Sequence, residues 1–217
     1  MLTTSTLLII ATSVISVAAF ENGSIMPESL QRPEWTGRLK FNAYQIWHGR
    51  QYYRMLSYGL VHADYWHLIF NMLTLYFFGD FVESCFRQVL DVGAGTAVYL
   101  LMYVTALAVS TSVDLVRHKE HPGYNAVGAS GAVSAVIFTA IFFNPTMRIS
   151  MLFIPIPMPG WLFGILYLLY CYYMDRRGMD NIGHSAHFVG AVYGFMFPLL
   201  VRPSLIELFV RQLPFAN

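Results

Sequence analysis

Gly128-Ala129-Ser130-Gly131 lies in an apolar stretch running from about Ala126 to Phe143, and Ala186-His187-Phe188-Val189-Gly190 lies in another, from about His184 to Val201. In hydrocarbon an ionisable or nucleophilic side chain is costly and turns toward the protein interior. Two such residues among small neighbours therefore point to one buried polar centre shared by two helices.

The composition agrees with a membrane solvent. Of 217 residues, 56% are hydrophobic and 12% charged, about half the charged share of an ordinary soluble domain. Six segments approach the ~17–25 apolar residues that a bilayer crossing requires. They run from about Thr4 to Phe20, Tyr65 to Glu83, Gly93 to Val113, Ala126 to Phe143, Trp161 to Tyr173, and His184 to Val201. The chain thus reads as a single all-α membrane domain over residues 1–217, a six-helix bundle with a short tail from about 202 to 217. Residues 1–20 contain no Lys or Arg, unlike the positive n-region of a secretory signal, and are read as a span.

The long first loop, about 21–60, mixes charges with Trp35, Tyr44, Trp47, Tyr52 and Tyr53, a composition suited to the lipid-water boundary. Pro155-Ile156-Pro157-Met158-Pro159-Gly160 is rich in helix breakers and reads as a tight connection between the fourth and fifth segments. No internal repeat of the transporter type is evident. A formal net charge of +1 without a basic stripe excludes a nucleic-acid footprint. Cys85 and Cys171 show neither CxxC spacing nor a disulfide framework and are read as packing residues. Many of the Lys and Arg residues fall in the first loop, some far from any span, so charge bias alone does not set the orientation.

Hydrolysis by a serine needs a base for the hydroxyl proton and donors for the oxyanion. Gly128 and Gly131 flank Ser130, and His187 shares a helical stripe with Gly190 and Gly194. Small residues let helices approach closely, so this stripe is expected to dock on the Ser130 helix. His67 and Asn71, at i and i+4, share one face of the second segment and are candidate oxyanion donors. His184 precedes His187 by three residues, but no HExxH motif is present and no carboxylate accompanies them within the span. No metal is expected. His48, His118 and His121 fall in linkers and read as solvated.

His62-(x4)-His67-(x3)-Asn71, Gly128-Ala129-Ser130-Gly131 and Ala186-His187-(x2)-Gly190-(x3)-Gly194, in this order and covering nearly the whole chain, resemble the rhomboid family of intramembrane serine proteases. The resemblance implies a six-helix bundle holding a water-accessible Ser-His dyad below the membrane surface. Ser130 would be the nucleophile and His187 the general base, then the acid for the leaving amine. His67, Asn71 and the Ser130 backbone N–H would form the oxyanion hole, with His62 holding the loop or adding a polar contact. Tyr53-Arg54 stands where the family often has a Trp-Arg pair, and Glu83 matches an acidic position that braces a helix end. Ser134 replaces a Tyr that some bacterial members place four residues after the nucleophile. Asp180 is a weaker candidate for orienting the imidazole.

The implied substrates are membrane proteins, in particular single-span ones, with the lipid bilayer as the other partner and no cofactor. Lateral entry would move the fifth helix and the loop carrying Gly178 and Gly183. The alternative is a noncatalytic rhomboid-like protein that binds membrane helices, although such relatives generally lack the serine or the histidine. Six spans without a transit peptide or a seventh span resemble a bacterial inner-membrane member more than a mitochondrial one.

Overall fold

The computed structural model describes residues 2–20, 24–151, 154–178 and 182–214. Several of its helices start where a polar side chain satisfies an orphan N–H group of the first turn. Thr3 caps α1 (Thr4–Ala19) by accepting from Thr6 N. Three short helices, α2 (Glu34–Leu39), α3 (Ala43–Trp47) and α4 (Arg54–Ser57), follow in the first loop. Asp64 caps α5 (Tyr65–Val89), and Asp91 caps α6 (Val92–Ser110), which continues almost directly into α7 (Ser112–His118). Then come α8 (Ser130–Phe143), strands β1 (Arg148–Met151) and β2 (Ile154–Pro159), and helices α9 (Gly160–Arg177), α10 (His184–Val201) and α11 (Leu205–Arg211).

The six expected apolar segments are the six long helices of a membrane bundle. Tyr65–Val89, Val92–His118 and His184–Val201 are long and apolar enough to cross a bilayer by themselves, while Thr4–Ala19 and Ser130–Phe143 are shorter. Several boundaries shift from the sequence expectation. The second segment runs on to Val89, and the fourth starts at Ser130, because residues 126–129 stay outside the helix, with Gly128 at φ +105°. The fifth spans Gly160–Arg177, with no upstream extension through Ile154 and Pro155.

That proline-rich stretch is strand β2 of an antiparallel hairpin, paired Arg148 with Pro159 and Ile149 with Met158. Prolines at every second position, 155, 157 and 159, leave their missing N–H groups on one side, which a two-stranded ribbon tolerates as a free edge.

The packing explains the short fourth helix. Twelve of the fourteen α8 residues are buried, so α8 is the central post, enclosed by α5, α6 and α10. Fourteen residues rise about 21 Å, short of the ~30 Å hydrocarbon thickness.

The first loop is a clamp rather than a loose connection. Phe41 and Ala126 exchange backbone hydrogen bonds at 2.9 and 3.1 Å. Asn42 Nδ2 donates to Pro122 O, Tyr124 O and Asn125 Oδ1. The buried Arg54 guanidinium donates to Gln51 Oε1, Gly37 O and Lys40 O, tying the loop to itself. The other end of the bundle is braced by Glu83, 1% exposed, whose carboxylate accepts from Thr4 N and Oγ1 of α1, Arg87 of α5 and Thr96 Oγ1 of α6.

Candidate active site

Gly128 makes the turn into α8. Its φ of +105° is a conformation that L side chains rarely adopt. The space is also taken: a methyl built there would lie 2.4 Å from His67 Cε1, so the His67 ring rests directly against the loop that carries Ser130. The Gly128 N–H donates to Tyr58 O at 3.0 Å, and the Ala129 N–H to His62 Nε2 at 3.3 Å. Next in line is the N–H of Ser130, in the first turn, where the helix itself supplies no acceptor and the macrodipole favours negative charge.

His62 is the anchor of this loop. Because Nε2 accepts from Ala129, the proton resides on Nδ1 and is donated to Ser16 Oγ at 2.8 Å, and Ser16 in turn donates to Leu60 O at 2.8 Å. Burial, and secondarily the neighbouring His67, pushes the His62 imidazole down to about 3, which keeps it in the neutral form this relay requires.

On α10, His187 Nε2 lies 2.7 Å from Ser130 Oγ. Close helix approach makes this possible. A methyl at Gly190 would lie 2.1 Å from Gly131 O, and one at Gly194 would lie 2.1 Å from Ala135 O. Thr139 Oγ1 donates to Gly194 O at 2.7 Å, locking the same interface. Behind it, Ser110 Oγ fills the space beside Gly131 and bonds Tyr58. Both Ser130 and His187 are half-buried and so remain reachable.

A scan against family models matches the Rhomboid domain over residues 49–204. The chain belongs to the rhomboid family. It is also 31% identical over 147 residues to an Arabidopsis thaliana protein named RHOMBOID-like protein 12, mitochondrial, a match covering 63% of this chain and 43% of the relative. This rhomboid chain thus matches less than half the length of that relative.

The rhomboid fold brings the sequence-chosen residues together unevenly. Ser130, His187, His67, His62, Gly128, Gly131 and Gly190 converge on one end of α8, and Gly194 supports the interface one turn further. Asn71 is buried on the His67 helix, with one of its two amide donors bonded to His67 O at 2.8 Å. Arg54 and Glu83 act in the clamp and in the far brace. Asp180 lies outside the described residues. Ser134, at the position where some bacterial relatives carry a Tyr, bonds the hydroxyl of Tyr167 from α9 at 2.7 Å, so a tyrosine enters the interior from another helix.

Residues missed in the sequence include Ser16, Tyr58, Asp114 and Ser185. Asp114 is 2% exposed and accepts from Ser185 Oγ at 2.6 Å, beside the His184–His187 turn. Ser16 could have been noticed as a polar residue within an apolar span. The linker histidines also find contacts: His48 pairs with Glu120, and His118 stacks on Tyr124 at 3.7 Å between centroids. Among the described residues, the donors that converge as for a metal are Cys171, His184 and His187, whose ligand atoms lie within 4.8 Å of one another.

Proposed function

We propose that this rhomboid-family protein is an intramembrane serine endopeptidase acting through Ser130 and His187. The observation that carries the reading is the 2.7 Å contact between His187 Nε2 and Ser130 Oγ at the N-terminus of a buried helix. With its proton on Nδ1, His187 takes the Ser130 proton at Nε2 as Oγ attacks the peptide carbonyl. The oxyanion meets the Ser130 N–H, the helix dipole and the His67 ring, with Asn71 on the same face. His187 then returns the proton to the leaving amine. A water, deprotonated by the same nitrogen, resolves the acyl-enzyme.

The substrates are single-span membrane proteins whose helix unwinds at small or helix-breaking residues, because a regular helix hides its carbonyls. Entry is lateral, past α9, which packs chiefly on α10 and presents Ile165, Leu169 and Tyr170 outward. A bacterial inner membrane is one candidate location, and a mitochondrial membrane, from the name of the matched plant relative, is the other. Fractionation of the native cell decides between the two.

The test is labelling of the detergent-solubilised protein by a fluorophosphonate probe. Labelling is expected in the wild type and absent in Ser130→Ala and His187→Ala at equal folded fraction. An unlabelled wild type beside a labelled control serine hydrolase would instead assign a noncatalytic helix-binding role.

A further inference from the structure

A second cluster forms around His187 itself. Cys171 of α9 and His184 and His187 of α10 each offer one ligand atom, all within 4.8 Å of one another. Cys171 is 0% exposed and His184 3%. A tetrahedral zinc ion with Zn–S of about 2.3 Å and Zn–N of about 2.1 Å places its ligands about 3.4–3.7 Å apart. Closing the cluster onto a metal therefore takes about 1 Å of side-chain movement. The donor set of one thiolate and two imidazoles suits a borderline-soft divalent ion, with water in the fourth position.

One of the three donors also borders a cavity. Cys171 lines a cavity of about 510 Å³ between α7, α9 and α10, together with Arg117, Asp175 and Ser185. Asp175 at its wall is paired with Arg117 at 3.1 Å. Tyr167 stands beside Cys171 and is itself held by Ser134, the kind of outer support that orients metal ligands.

We propose that Cys171, His184 and His187 form a Zn²⁺ site whose occupancy switches the enzyme off. Binding replaces the Cys171 S–H bond by an S–Zn bond, and the released proton leaves through the cavity. The inhibitory consequence follows from His187 whichever ring nitrogen the ion takes. Zinc on Nε2 displaces Ser130, and zinc on Nδ1 leaves the ring proton on Nε2, which then cannot accept from the hydroxyl. The switch rests on the proposed role of His187 as base, whereas the binding does not.

The experiment uses the full chain in detergent, without a polyhistidine tag, in a Cys85→Ala background so that Cys171 is the sole thiol. Co²⁺ is added as a spectroscopic substitute for Zn²⁺. A thiolate-to-cobalt charge-transfer absorption is expected in this background and equally with Ser130→Ala, and is lost with Cys171→Ala. In parallel, Zn²⁺ should slow fluorophosphonate labelling and a chelator should restore it. The Zn²⁺ concentration needed should rise by more than about 100-fold in Cys171→Ala, since losing even an outer partner of a metal ligand costs about 10–100-fold. His184→Gln gives an independent variant should Cys171→Ala not fold. No cobalt-thiolate absorption at saturating Co²⁺, or its persistence in Cys171→Ala, overturns the site. Cobalt binding with zinc-insensitive labelling overturns the switch. Cobalt binding in a protein that never labels preserves the site and removes the protease reading instead.

Discussion

Replacing Gly190 by alanine tests the geometry on which the dyad depends. The new methyl would lie 2.1 Å from Gly131 O and 2.8 Å from Gly131 C, both backbone atoms of the neighbouring helix. An ordinary C···O approach is about 3.3 Å, so α8 and α10 must part by about 1.2 Å at this level. Gly190 is less than one turn beyond His187, so the separation carries over to the dyad and stretches the 2.7 Å contact to about 3.9 Å, beyond hydrogen-bond range. Misplacement of about 1 Å costs on the order of 100-fold in rate, and overpacking of this kind costs about 1–3 kcal/mol of stability. Gly194→Ala is the matched control: its methyl meets Ala135 O at the same 2.1 Å but one turn further from His187. Both variants should lose similar stability in detergent unfolding, while the fluorophosphonate labelling rate of the folded fraction should fall far more for Gly190→Ala. Equal labelling rates in the two variants, or a Gly190→Ala rate near wild type, would refute the claim that helix approach at Gly190 aligns the dyad.

Three further outcomes follow from the same structure. Gly128→Ala forces a side chain onto φ +105° and a methyl to 2.4 Å from the His67 ring; strain of about 1–3 kcal/mol is expected, with labelling reduced in protein that circular dichroism shows to be helical. His62 has a folded value near 3 against an ordinary 6.5, so the unfolded chain binds the extra proton between these limits and stability falls as pH drops from 6.5 toward 3. The slope contributed is about 1.4 kcal/mol per pH unit, and unfolding measured at several pH values should show it flattened in His62→Gln. Glu83→Ala removes the acceptor shared by Thr4, Arg87 and Thr96; a loss of about 3 kcal/mol is expected, read as a lower unfolding midpoint with the folded fraction still labelled by the probe.

What could be read from the chain was mostly local periodicity. His67 and Asn71 share a face because they are four residues apart on a helix, and His187, Gly190 and Gly194 form a stripe for the same reason. Glycine at 190 and 194 announced a close helix contact, and the contact is there. The strand β2 was not legible, because alternating prolines read as breakers until a partner strand supplies the ladder. Nor was the role of Ser16, whose meaning lies in His62, 46 residues away. Cys171 read as packing because nothing in its own helix suggests that two histidines of α10 face it.

The sequence by itself determined the solvent, the helical class and the family, since apolar length, small-residue stripes and motif order are properties of the linear chain. Only the tertiary structure decided the contact between Ser130 and His187, the His62 relay that holds Ala129, and the approach of Cys171 to the imidazoles. Those are distances between helices far apart in sequence, set by how closely backbones pack, and no spacing along one helix encodes them.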